Sequence, residues 1–78
     1  MPRFYFHIRD GERLIKDPEG SELSDLESAR AEALVGAREL LAAKLKAGEV
    51  IDGQRFEIVD EGGNLLTVVP LKDVVRLS

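Results

Sequence analysis

An α+β domain with a ββαββ plan is the fold class this sequence predicts, and three signals predict it. The first is an alternating aromatic run that ends in Asp10-Gly11. The second is a capped helix, and the third is another alternating run broken by Gly62-Gly63. Together they predict an antiparallel four-stranded sheet with one long helix packed on one face and a short C-terminal helical turn. At 78 residues the chain has room for a single domain, residues 1–78, with one small core.

Phe4, Phe6 and Ile8 alternate with Tyr5, His7 and Arg9, the period-2 pattern of a half-buried strand. Asp10-Gly11 supplies residues that tolerate positive φ, so a tight hairpin returns through Leu14 and Ile15. A two-residue loop at Asp10-Gly11 pairs Phe6 with Ile15, and a longer loop shifts the faces. Asp17-Pro18-Glu19-Gly20 ends the second strand, because Pro18 has no amide to give to a ladder and Gly20 lets the chain turn.

Ser24 followed by Glu27 reads as a capping box, which starts the helix at Asp25 and leaves Gly48 as the residue after its last turn. Asp25 and Glu27 at one end and Lys44 and Lys46 at the other suit the helix dipole. Leu26, Ala29, Ala33, Leu34, Ala37, Leu40, Leu41 and Leu45 share one broad stripe at helical spacing, and that stripe is expected to face the sheet. Arg30 and Lys44 interrupt it. Arg30 is expected to reach the edge of the stripe and pair with Asp17 or Glu22.

The second hairpin pairs Arg55 to Asp60 with Asn64 to Val69 around a three-residue loop, Glu61-Gly62-Gly63. That register sets Phe56 opposite Val68 and Ile58 opposite Leu66 on the core face. Arg55, Glu57, Val59, Leu65, Thr67 and Val69 then occupy the other face. Pro70 is placed to open a last short helix carrying Leu71, Val74 and Val75.

Composition removes several function classes. The chain has no cysteine, which excludes disulfides, thiolate catalysis and cysteine-ligated zinc and fits a reducing compartment. His7 is the only histidine, so a His-based metal site would need carboxylates or another chain. Asp17-Pro18-Glu19-Gly20-Ser21-Glu22 lacks the order of a calcium loop, and no helix follows Gly62-Gly63 to cradle a phosphate. No cofactor and no metal are expected. The formal charge of -4 argues against nucleic acid, and the basic set Arg3, Arg9, Arg13 and Lys16 sits on alternating positions that need not converge. Met1-Pro2-Arg3-Phe4 opens no apolar leader, and no apolar run approaches the ~20 residues that span a bilayer, so no membrane partner and a cytoplasmic location are expected.

One helix covers one face of a four-stranded sheet, which leaves the second face as the main functional question. Tyr5, His7, Arg9, Val59, Leu65 and Val69 are expected there, with Leu14 if the first turn has two residues, and the face is either partly covered by the last ten residues or a contact surface. An apolar patch rimmed by Tyr and Arg has the composition of an interface, and pairing of edge strands offers a second route to a homodimer. Three functions follow. The leading one is a non-enzymatic interaction module that self-associates through the uncovered face or an edge strand. The second is an antitoxin-like partner of another protein, whose acidic charge suits a basic target. The third is a small-ligand or enzymatic role around His7, Tyr5 and Arg9.

Phe4-Tyr5-Phe6-His7, Arg9-Asp10-Gly11, Asp17-x-x-Gly20-x-Glu22-Leu23-x-Asp25-Leu26 and Ala29-x-x-Glu32-Ala33 resemble an uncharacterised family of small bacterial proteins classed as a domain of unknown function. The resemblance covers nearly the whole chain. It implies a stand-alone bacterial domain and carries no catalytic or binding residues. The first hairpin followed by Ser24-Asp25-Leu26-Glu27-Ser28-Ala29 and an alanine-rich helix is also similar to the N-terminal domain of HicB-type antitoxins. This chain departs from that pattern by lacking a strand before the helix and a C-terminal DNA-binding domain, so autonomous repression is not expected.

Overall fold

The computed structural model describes residues 1–49 and 53–74. It is an α+β domain with an antiparallel sheet and one long helix. The strands are β1 (Arg3–Asp10), β2 (Arg13–Ile15), β3 (Ser21–Glu22), β4 (Arg55–Val59) and β5 (Leu65–Pro70). The helix α1 spans Leu26–Lys46, and a 3₁₀ turn, Leu71–Val74, follows β5. Strand order is β2-β1-β4-β5, and β3 also pairs with β1.

The sheet therefore has five strands where four were expected. β2 and β3 lie end to end along the same edge of β1: Ile15 is opposite Ile8, and Ser21 is opposite Phe4. They are two pieces of one edge strand, interrupted by the excursion Lys16–Gly20, and β3 is a strand immediately before the helix. The first turn is Gly11-Glu12, since Asp10 pairs with Arg13. Ile15 thus faces Ile8 and not Phe6. The shift is two residues, so every side chain keeps its expected face.

Helix α1 begins one residue later than expected. Asp25 is the N-cap, and its Oδ1 accepts from the Ser28 amide at 2.8 Å. Ser24 instead shares a hydroxyl hydrogen bond with Ser28. An aspartate and a serine side by side compete for one capping position, and here the carboxylate takes it. At the other end Gly48 N–H donates to the Leu45 carbonyl and Glu49 N–H to the Lys44 carbonyl, the paired bonds of a Schellman stop.

Ala29, Ala33, Ala37 and Leu41 form the buried row of α1, four residues apart. With Phe4, Phe56, Ile58, Val69 and Leu71 they make the core. Three alanines in that row let the helix axis come close to the sheet, so the large side chains of the core come mainly from the strands. The stripe is narrower than predicted: Leu26 and Leu45, at the helix ends, are exposed. Arg30 is exposed as well and forms no ion pair with the described residues. Its expected partners are taken, Asp17 by backbone amides and Glu22 by Arg3.

The second hairpin turns where predicted, with Gly63 at φ +83 in the three-residue loop. Asp60 Oδ1 accepts from the Gly62 and Asn64 amides and ties that loop together. Val59 pairs with Leu65, as the loop requires, but Ile58 pairs with Thr67. Leu66 is the extra residue of a β-bulge, and beyond it the faces of β5 are reversed from expectation. Val69 is opposite Phe56 and lies in the core at 4% exposure, whereas Val68 and Leu66 are exposed.

The 3₁₀ turn packs on α1 and places Leu71 in the core with no exposure, so it closes the helix side of the sheet, and among the described residues no element covers the opposite face. Val75, the last apolar residue predicted for this turn, and the rest of the C-terminus lie outside the described residues. Among the described residues, no helix is long and apolar enough to cross a membrane.

Candidate functional site

The face opposite α1 is organised in three rows that run across the strands. Tyr5, Val59 and Leu65 make the first, His7, Glu57 and Val68 the second, and Leu14, Arg9, Arg55 and Pro70 the third. Five of the six residues predicted for this face are here: Tyr5, His7, Arg9, Val59 and Leu65. The sixth, Val69, is on the core side because the Leu66 bulge shifts the register by one.

The apolar row is exposed unevenly. Val59, in the middle of the sheet, is 8% exposed, whereas Leu65 on edge strand β5 is 57% exposed. Val68 follows Leu65 on the same side of β5, and the bulged Leu66 lies between them. All three are exposed aliphatics, and β5 carries no charged residue along its six positions. An edge strand of this composition lacks the charges that usually discourage pairing with another strand.

The arginine row contains an electrostatic conflict with a local solution. Arg9 and Arg55 are directly opposite each other, a like-charge pair that destabilises a ladder. Glu57 Oε2 lies 3.1 Å from Arg9 Nε and 3.6 Å from Arg55 Nη2 and bridges them. The same carboxylate is opposite His7.

His7 is held by the other edge of the sheet. Its Nδ1 accepts from the Asp17 amide at 3.1 Å, which commits that nitrogen to the backbone. The Tyr5 ring is its neighbour, with centroids 6.3 Å apart.

Asp17 is the residue whose importance the sequence concealed. In the gap between β2 and β3 no strand faces the Phe6 amide, and Asp17 Oδ2 accepts from it at 3.2 Å. Its Oδ1 accepts from the Glu19 and Gly20 amides, both at 3.2 Å. One carboxylate thus replaces the missing ladder and closes the Pro18 turn. Burial by itself raises the Asp17 pKa, but the Phe6, Gly20 and Glu19 amides, together with the nearby His7, outweigh it and hold the carboxyl below the ordinary value. Gly20 completes the junction: it has φ +71 and sits under the Tyr5 ring. The predicted acidic stretch Asp17–Glu27 is therefore a backbone brace and a helix cap.

Two of the four N-terminal basic residues are engaged within the fold. Arg3 donates to the Glu19 carbonyl and pairs with Glu22, and Arg9 pairs with Glu57. Among the described residues there is no group of three or more His, Cys, Asp or Glu side chains placed to hold a metal ion. No buried side-chain nitrogen or oxygen among them lacks a hydrogen-bond partner.

No curated protein and no solved structure matches the chain. The match that is found carries no antitoxin likeness and agrees with the stronger of the two resemblances. A family model described as a domain of unknown function, DUF6894, matches residues 3–72, nearly the whole length, and the chain belongs to that family.

Proposed function

We propose that this chain is a non-catalytic interaction module that associates with a second copy of itself through edge strand β5. The observation that carries this reading is the uncharged β5 edge with Leu65, Leu66 and Val68 exposed beside it. Antiparallel pairing of β5 with its symmetry mate is isologous, so one two-fold contact satisfies both open edges at once. The bulge at Leu66 and Pro70 bracket the stretch Thr67–Val69 and confine the pairing to a narrow choice of register. A core this small also gains stability from a partner subunit.

The polar residues of the open face support a structural role. His7 Nδ1 is occupied by the Asp17 amide, and Arg9 and Arg55 are occupied by Glu57. These contacts engage one ring nitrogen of His7 and both guanidinium groups in holding the sheet.

Light scattering coupled to size exclusion tests the assignment of the edge. Val68→Lys places a charge on β5 and is expected to give a folded monomer. Val35→Lys, on the exposed side of α1, is expected to leave the dimer intact. A Val68→Lys protein that remains dimeric overturns the role of β5.

A further inference from the structure

Helix α1 lies over β4, β5 and the 3₁₀ turn and leaves the β1 side of the core face incompletely covered. The result is a groove of about 250 Å³. Phe6 and Phe56 form its floor, and Val35 and Gly36 form its helix wall. Glu32 and Glu39 stand on the rim, and among the described residues no lysine or arginine lines the groove.

Three properties bear on what such a groove accepts. Glu32 and Glu39 are seven residues apart, about 10.5 Å along the helix, so their charges flank the opening at both ends. Neither forms an ion pair with the described residues. Gly36 occupies the middle of a 21-residue helix, where glycine is the least favourable residue after proline. A Cβ at position 36 would meet Phe56 Cζ at 3.6 Å, an ordinary contact, so packing does not require glycine there. Glycine keeps the space beside the Phe56 ring edge free of a side chain, while the ring itself is buried at 8% exposure.

From this geometry we infer that the groove binds an organic cation: an ammonium group carrying one aromatic ring or branched alkyl body. The aromatic floor takes the apolar body. The two rim carboxylates favour the positive head and repel an anion, in a molecule whose net charge is already -4. The volume is below that of pockets for drug-sized ligands, which limits the body to a single ring. This inference is independent of self-association, because the groove is on the opposite side of the sheet from the rows that flank β5.

Titration of the intact ¹⁵N-labelled chain with 3-phenylpropylammonium, followed by amide chemical shifts, tests it. 3-Phenylpropanol and 3-phenylpropanoate serve as the neutral and anionic matches. Saturable shifts centred on Phe6, Gly36 and Phe56 are expected for the cation, with the alcohol about fivefold weaker and the carboxylate weaker still. In the double variant Glu32→Gln/Glu39→Gln the cation should fall to the affinity of the alcohol. Gly36→Ala, which favours the helix, should raise the melting temperature and weaken the cation and the alcohol alike. Equal binding of cation and carboxylate, shifts centred elsewhere, or unchanged binding by Gly36→Ala would each overturn the inference.

Discussion

Replacing Gly20 with alanine is expected to destabilise the domain by about 3 kcal/mol, from left-handed backbone strain and overpacking together. Gly20 has φ +71, a conformation that costs a residue with a Cβ. The added Cβ would also sit 2.9 Å from Tyr5 Cε1 and 3.0 Å from the Phe4 carbonyl oxygen. The ring tip can move, but the strand carbonyl cannot without disturbing β1. Gly63→Ala is the matched control, with φ +83 and open space around its Cβ, and should lose only about 1 kcal/mol. Urea midpoints of the two variants measure the difference. Equal losses would show that no close contact constrains Gly20.

Asp17→Ala is the second large effect, with an expected loss of about 2 to 3 kcal/mol from unpaired amides. It strips the acceptor from the half-buried Phe6 amide and from the Gly20 and Glu19 amides at once. Asp17→Asn keeps one acceptor oxygen and should lose less. The pH dependence has a definite sign. The folded-state pKa of Asp17 lies below its unfolded value, so its contribution is fully present above the ordinary aspartate value of about 3.9 and is lost as pH falls through the folded value. Asp25 and Asp60, each accepting hydrogen bonds from nearby amides, are shifted in the same direction and steepen the acid limb. Urea denaturation from pH 6 down to pH 2 should show this decline, and the Asp17→Ala protein should decline less steeply. Parallel curves for the two proteins would remove Asp17 from its bracing role.

Features written in local chemistry were legible from the residues alone. The Phe4, Phe6 and Ile8 alternation fixed β1 and both of its faces. Gly48 after a run of helix formers stopped α1 at the right turn, and Gly62-Gly63 located the second hairpin. Features that depend on distant partners were not legible. Ser21–Glu22 is too short to display a period, so β3 became visible only opposite Arg3 and Phe4. Leu65 to Val69 is apolar at four of five positions, which supports either parity equally, and the bulge at Leu66 chose the one that buries Val69. Asp17 resembled an ordinary turn acid because nothing in its neighbourhood announces that the Phe6 amide, eleven residues away, lacks a strand partner.

The same distinction governs the candidate site. Tyr5, His7, Arg9, Val59 and Leu65 came together because alternation along β1 and the start of the second hairpin are local properties. The Arg9, Glu57 and Arg55 bridge needs the register between β1 and β4, and the Gly36 groove needs the tilt of α1 across the sheet. Neither quantity is encoded in a short window of sequence.

Sedimentation equilibrium of the wild-type chain, from about 1 µM to 500 µM, is the most direct measurement of whether the open β5 edge is an interface. A mass that approaches 17.2 kDa, twice the 8.6 kDa of one chain, with a single monomer–dimer equilibrium is the expected result. A mass of 8.6 kDa throughout that range would contradict self-association through β5.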